Sequence, residues 1–211
     1  MDIVGRRVFV LRTVGITGPS GSGKSLLCEY IKNTGVPCID ADALYHSMLT
    51  PHAPILQAIA DAFGAEVLNP DGSLNRQVLG ACVFGDKEKL ERLNATVLPF
   101  VIAEIRERIG ALKREGYSLV ALDAPTLIES GFYRECDLVV SVIAPSEIRI
   151  KRIAERDSIS IEKAIERVTA QHSDDFYTDA SDITLINDCD QADFARRALE
   201  FATELKNLLS N

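Results

Sequence analysis

Lys24 and Ser25 close an octet that begins at Gly18 and continues Pro19, Ser20, Gly21, Ser22, Gly23. Gly18, Gly21 and Gly23 let the backbone wrap tightly, so that its N–H groups converge on an anion. Lys24 is a point charge on a flexible stem that can reach the outer phosphates of a nucleoside triphosphate. The Ser25 hydroxyl can join a magnesium shell. The octet follows the apolar run Val14-Gly15-Ile16 and precedes Leu26-Leu27-Cys28-Glu29-Tyr30-Ile31, which can start a helix. Strand, loop and helix in that order are the setting a phosphate-binding loop requires. A glycine-rich surface turn is the plain alternative. The full pattern in this setting favours triphosphate binding.

A second group of reactive side chains is Asp40-Ala41-Asp42, placed just beyond a short apolar run. Ligands of open α/β sheets commonly sit at such strand ends. Beside a phosphate loop, these carboxylates can orient an acceptor hydroxyl and organise a metal shell; a solvated helix start is the competing account. The loop alone does not separate ATPase, GTPase and kinase. No Asn-Lys-x-Asp guanine signature is present, and a kinase needs a second pocket that aligns an acceptor with the terminal phosphate.

The elements that must hold these groups follow from periodicity and punctuation. Residues 8–17 read as the first central strand and residues 24–33 as the helix after the loop. Gly35 and Pro37 mark a turn before a short strand at 36–39. Residues 43–48 read as a short helix, and 55–63 carry apolar side chains at helical spacing up to Gly64. Asn69-Pro70-Asp71-Gly72 is a strong turn, with Ser73 or Asn75 placed to cap the next helix. Residues 87–93 and 97–112 read as two further helices, the second with Val101, Ile105, Ile109 and Leu112 on one face. Short apolar strands follow at 117–122, ending at Asp123, and at 138–143. A helical stretch over 147–170 breaks near Asp157-Ser158 and Ser160. A strand at 183–186 and a closing helix over 190–209 complete the chain. This alternation supports a mainly parallel sheet with helices on both faces. The helical stretch between strands reads as a substrate-binding insertion, with a purely structural bundle as the alternative.

The bulk properties agree with a folded enzyme. A 211-residue chain that is 46% hydrophobic and 26% charged buries a substantial core. Its formal charge of −8 disfavours a general nucleic-acid binder, although a few local Arg and Lys residues suffice for an anionic small molecule. The five cysteines are scattered, with no zinc or redox spacing, and read as free thiols of a reducing cytoplasm. Residues 8–14 are too short to cross a membrane, and neither a membrane nor a nucleic-acid partner is expected. His46, His52 and His172 have no metal-binding spacing.

Taken together, the landmarks resemble the dephospho-coenzyme A kinase family. The likeness runs from Thr13-Val14-Gly15-Ile16-Thr17-Gly18 through the loop to Ile39-Asp40-Ala41-Asp42, then Gly64-Ala65 and Asp71-Gly72-Ser73-Leu74-Asn75-Arg76. It continues through Val83-Phe84, Leu93-Asn94-Ala95, Pro99, Asp123, Pro125 and Glu129 to Arg152, Arg156-Asp157, Arg167, Gln171, Asp182 and Asn187. These landmarks cover most of residues 13–188, and their combined order is the specific signal.

The resemblance implies a three-layer P-loop NTPase fold similar to nucleoside monophosphate kinases, with a mainly parallel central sheet. It divides the chain into a nucleotide-binding core (1–42, 117–145 and 181–211), a helical acceptor region (43–116) and a lid (146–180). It also implies ATP as phosphoryl donor, Mg2+, and dephospho-coenzyme A as the acceptor, phosphorylated on its ribose 3′-hydroxyl. Asp42 takes the place of the acidic residue near the acceptor hydroxyl, and Lys24 and Arg152 join it in catalysis. Asp40, Asp123 and Ser25 fall to the metal, while Asp40, Asp42, Arg76, Asp123 and Glu129 fall to the acceptor side. The loop residues 18–25, Arg156 and Asn187 hold the nucleotide, and Gln171 supports the closed site.

Several of these residues have plain alternatives: a helix N-cap for Asp123, a surface salt bridge for Arg76 and a solvated helical position for Glu129. Arg149, Lys151, Arg152 and Arg156 can equally be surface charges. The chain departs from the usual family spelling at Pro19-Ser20, where glycine is common, and at Leu98, where histidine commonly precedes Pro99. Another small-molecule P-loop kinase, or a catalytically weak nucleotide-binding regulator, are the competing readings.

Overall fold

A computed structural model describes residues 11–209. The element order is β1 (Arg12–Thr17), α1 (Lys24–Asn33), β2 (Cys38–Asp40), α2 (Ala41–Met48), α3 (Pro54–Phe63), α4 (Arg76–Val83), α5 (Lys87–Arg114), β3 (Leu119–Asp123), β4 (Leu138–Ile143), α6 (Ser146–Asp157), α7 (Ile161–Thr169), α8 (Asp174–Thr178), β5 (Ile183–Ile186) and α9 (Gln191–Leu209). The strands form one sheet in the order β2-β3-β1-β4-β5, and every pairing is parallel. The first strand sits at the centre. The chain then adds β2 and β3 on one side and β4 and β5 on the other, so the loop after β1 emerges where the winding reverses. That crevice, outside the carboxyl ends of the strands, is where such sheets bind ligands.

The chain divides into two compact units, one comprising Met1–Asp40 with Ile109–Asn211 and the other Ala41–Arg108. In the first, alternate residues of the strands share a face: Val14 and Ile16, Leu119 and Ala121, Val140 and Val142. They pack with Leu27, Cys28 and Ile31 of α1 and with Phe194, Ala198, Ala202 and Leu205 of α9. Strand starts are latched by side chains. Thr13 N–H donates to Asp137 Oδ2 at 2.7 Å and Val139 N–H to Asp182 Oδ2 at 2.7 Å, which pins the register that carries the loop. The second unit is helical around Ile55, Leu56, Ile59, Val67, Leu79 and Val97. Within it the turn at Asn69 closes with Gly72 N–H on Asn69 O at 2.9 Å. Asn75 Oδ1 accepts from Val78 N–H at 3.1 Å and so caps α4.

The sequence places β4, β5 and α1 at their observed bounds, because the two strands are mostly apolar runs, each with a single hydroxyl residue, and α1 follows a fixed loop. The part of the first predicted strand at 8–10 lies outside the described residues. Elsewhere the structure differs. The two helices expected at 87–93 and 97–112 are one 28-residue helix that continues through Pro99. Proline removes one backbone donor there, but Val97, Val101 and Ile105 keep a single buried stripe, and that packing outweighs the lost bond. Helix α2 starts at Ala41, two residues earlier than expected. Residues 125–130 form turns, and the next helical element is only the short 3-10 helix Phe132–Glu135, so Asp123 is not the N-cap of a helix and Glu129 does not stand on one. The short α8, unassigned from sequence, follows Ser173 with Asp174 and Asp175 in its first turn, an acidic start signal that was there to read.

Candidate active site

The octet is a loop whose carbonyls are tied back by its own lysine and by side chains arriving from distant elements. Lys24 Nζ donates to Gly18 O at 2.6 Å and Pro19 O at 2.9 Å. Arg152 of α6 donates through Nη1 to Gly21 O at 3.2 Å. Asn187, just past β5 and buried, donates through Nδ2 to Ser22 O at 2.7 Å, while its Oδ1 accepts from Arg152 Nη2 at 3.1 Å. Ser20 is held at both ends, its N–H on Gln171 Oε1 at 3.0 Å and its Oγ by Arg156 Nη2 at 3.4 Å. With these carbonyls engaged, the loop runs into α1. Gly23 is the N-cap of α1 and Lys24 and Ser25 are its first residues, so the last amides of the loop stand at the head of that helix. Such a helix start, with its positive dipole end, is a ready anion site.

Glycine is required where the loop meets the sheet and where it enters the helix. A Cβ on Gly18, whose φ is +136°, would stand 2.1 Å from Val142 O. One on Gly23, at φ +109°, would stand 2.4 Å from Asn187 Nδ2. Gly23→Ala is therefore expected to lower the free energy of unfolding by about 1–3 kcal/mol through backbone strain alone. Urea denaturation checks this, and an unchanged midpoint would contradict it.

Gly23, Leu26, Arg152, Asn187, Gln191 and Phe194 line a cavity of about 270 Å³ beside the loop. Phe194 and Leu26 give it apolar lining, and Asn187, Gln191 and Arg152 add two amides and a guanidinium. This mixture suits a flat heteroaromatic ring with polar edges. Gln191 and Phe194 were not singled out from sequence. Both lie in the first turn of the closing helix, where amphipathic spacing signals core packing rather than ligand contact.

The carboxylates fall into two groups. Asp40 and Asp123 are register neighbours at the ends of β2 and β3, and Asp123 also pairs with Ile16 of β1, two residues before the loop. The sheet thus sets two carboxylates side by side at the carboxyl edge from which the loop emerges. Among the described residues no cluster of three His, Cys, Asp or Glu side chains forms a metal cage. Asp42 is the second residue of α2 and is exposed, and it belongs with Arg76 to the second unit. Arg76 opens α4 near Tyr45; burial raises the Tyr45 pKa and the Arg76 charge partly offsets that rise. Glu129 stands in the turn after β3, with His172 Nε2 at 3.6 Å from its Oε1.

The four basic side chains of α6 are not equivalent. Lys151 and Arg156 are exposed and Arg152 is half-buried, but Arg149, for which the sequence leaves a plain surface charge open, is only 6% exposed. Arg156 is steadied by Asp157, with Nε at 2.8 Å from Oδ1, and Arg167 pairs with the same carboxylate. The Arg156 hydrogen bond, assisted by both charges, holds the Asp157 carboxyl below the usual range, so this tie persists at neutral pH. The cysteines, scattered in sequence, are all free, but two of them meet: the Cys28 thiol hydrogen-bonds the Cys38 sulfur, which raises the pKa of Cys28 and lowers that of Cys38.

The family model for dephospho-CoA kinase matches residues 12–193. The chain belongs to the dephospho-CoA kinase family. A dephospho-CoA kinase of Dehalococcoides mccartyi is 38% identical over 179 residues, covering 85% of this chain and 90% of the relative. One from Symbiobacterium thermophilum is 40% identical, covering 77% and 68%. The solved structure of dephospho-CoA kinase from Campylobacter jejuni superposes with a TM-score of 0.68 at 28% identity, covering 92% of this chain and 97% of that one. A shikimate kinase of Acinetobacter baumannii, at 15% identity and TM-score 0.52, shares the fold. The resemblance read from the ordered landmarks is thereby borne out, as is the α/β P-loop kinase fold with its parallel sheet. The family is one of kinases, so the chain is placed among phosphotransferases. No helix among the described residues is long and apolar enough to cross a membrane.

Proposed function

We propose that this chain transfers the γ-phosphate of ATP to the ribose 3′-hydroxyl of dephospho-coenzyme A, giving coenzyme A and ADP, the final step of coenzyme A biosynthesis, in the cytoplasm. The observation that carries the reading is the loop itself. Its carbonyls are tied back by Lys24, Arg152 and Asn187, and its amides head α1, in a chain whose relatives are named for this reaction.

Phosphoryl transfer through a loose transition state needs alignment and charge stabilisation more than covalent help. The N–H groups of Gly23, Lys24 and Ser25 hold the β- and γ-phosphates, and Lys24 and Arg152 meet the charge that spreads over the transferring oxygens. Arg156, already on Ser20, and Gln171 close residues 146–180 over the donor as a lid, excluding water that would otherwise hydrolyse ATP. The cavity beside Asn187 accepts the adenine. In the acceptor region, residues 43–116, Asp42 orients the 3′-hydroxyl and takes its proton, and Arg76 meets an acceptor phosphate. Asp40 and Glu129 organise the acceptor through hydrogen bonds.

The donor set fits Mg2+. Ser25, Asp40 and Asp123 offer only hard oxygens, and the register pairing sets the two carboxylates side by side. One or two carboxylates plus substrate phosphates are the usual way that ion is held. When bound, the ion neutralises phosphate charge.

Purified protein with ATP and Mg2+ should convert dephospho-coenzyme A to coenzyme A, with weak product from uridine or simple nucleotides. Folded protein that leaves dephospho-coenzyme A untouched while phosphorylating another acceptor would replace this assignment with that of a different small-molecule kinase.

A further inference from the structure

We propose that Arg149 is a positioning residue for the phosphoryl donor: it fixes the orientation of the Gln171 amide, and through it the entry limb of the phosphate loop. The inference rests on the loop being the ATP site and concerns how that site is held in shape.

Arg149 is a guanidinium almost wholly buried on α6, and its Nε makes no hydrogen bond. A side chain with five donors and no acceptor is an expensive choice for packing alone. Its surroundings explain its presence. Nη1 donates to Gln171 Oε1 at 3.4 Å, and the same oxygen accepts the Ser20 N–H at 3.0 Å. The helix backbone at this residue also lies directly against the loop: a Cβ on Gly21 would stand 3.0 Å from Arg149 O and 3.1 Å from its Cα.

A glutamine amide has an accepting end and a donating end of nearly the same shape, and its neighbours decide which end points where. The Ser20 N–H needs the oxygen. Without a second donor on that side the amide can turn over, and its NH2 would then face an N–H and open the contact. Arg149 can only donate, so it admits a single orientation, with Oε1 toward both partners. It also polarises that oxygen and strengthens its hold on Ser20. Ser20 leads into the amides that receive phosphate. Arg152 on Gly21 O and Arg156 on Ser20 Oγ grip the loop from the same helix, so Arg149 completes a three-point clamp in which its own grip is indirect.

The test is ATP binding by calorimetry in Mg2+ buffer, together with steady-state KM and kcat. Arg149→Met keeps an apolar-compatible volume and should fold. It should weaken ATP binding about five- to tenfold, the loss of one charge-supported hydrogen bond, and leave kcat within about twofold. Arg149→Lys, another pure donor, should recover most of that loss, which a packing role would not allow. Gln171→Leu, at a half-buried position, should give the same loss, and the double variant with Arg149→Met should be no worse than either alone. Wild-type affinity in Arg149→Met, failure of lysine to rescue, or additive losses in the double variant would each overturn the proposal. Because binding is read without the acceptor, a wrong acceptor leaves the test intact. A wild-type chain that binds no ATP would instead overturn the function proposed above.

Discussion

Asp42→Asn is expected to lower kcat by about two to four orders of magnitude, the range for loss of a positioned acid–base group. ATP affinity should stay within about twofold. Asparagine keeps the size and one hydrogen-bonding oxygen of the carboxylate but neither its charge nor its capacity to take a proton. The residue stands in the first turn of α2, two residues beyond the strand end that carries Asp40. Its proposed work is on the hydroxyl, not on the nucleotide, so binding and turnover should separate. Nucleotide titration beside single-turnover kinetics makes the comparison. Equal loss of ATP binding and turnover in a folded variant would remove Asp42 from the acceptor side.

Lys24→Ala should impair both quantities. The ammonium bridges Gly18 O and Pro19 O at the start of the loop, so its removal loosens the loop as well as deleting a charge from the phosphates. A fall in turnover of about 100- to 1,000-fold is expected, by analogy with deleting one preorganised donor from a transition-state site. ATP binding should weaken with it, because the lysine acts on ground state and transition state alike. Unchanged ATP use would show that the loop does not serve as the donor site. The contrast between the two variants is informative. Asp42 should split affinity from rate, and Lys24 should not.

Much of this arrangement was legible in the chain. The octet names its own chemistry because glycine, lysine and serine each answer one demand of a phosphate. The strands at Leu138–Ile143 and Ile183–Ile186 declare themselves as apolar runs bounded by turn residues. The ordered landmarks carried the family. What stayed hidden depends on contacts across long stretches of sequence. Arg152 reaches Gly21 over 131 positions and Asn187 reaches Ser22 over 165, and no local periodicity reports such pairs. Sequence leaves Arg149 undecided between a lid charge and a surface charge, because burial of a guanidinium is decided by what packs on the helix rather than by its own sequence. Its spacing three residues before Arg152 does place both on neighbouring parts of one helical face, a signal weak enough to be outvoted by charge. The unbroken α5 was hidden for a similar reason: Pro99 argues locally for a break, and only the buried stripe around it argues for continuity.

A structure of the protein with dephospho-coenzyme A and a non-hydrolysable ATP analogue would show whether acceptor and donor meet in one site. The ribose 3′-oxygen should lie about 3–3.5 Å from the γ-phosphorus and in line with its leaving oxygen. The Asp42 carboxylate should be on that hydroxyl and Lys24 on the phosphates. An acceptor bound with its ribose turned away from the nucleotide, or a nucleotide bound elsewhere than on the loop of residues 18–25, would contradict the proposed transfer.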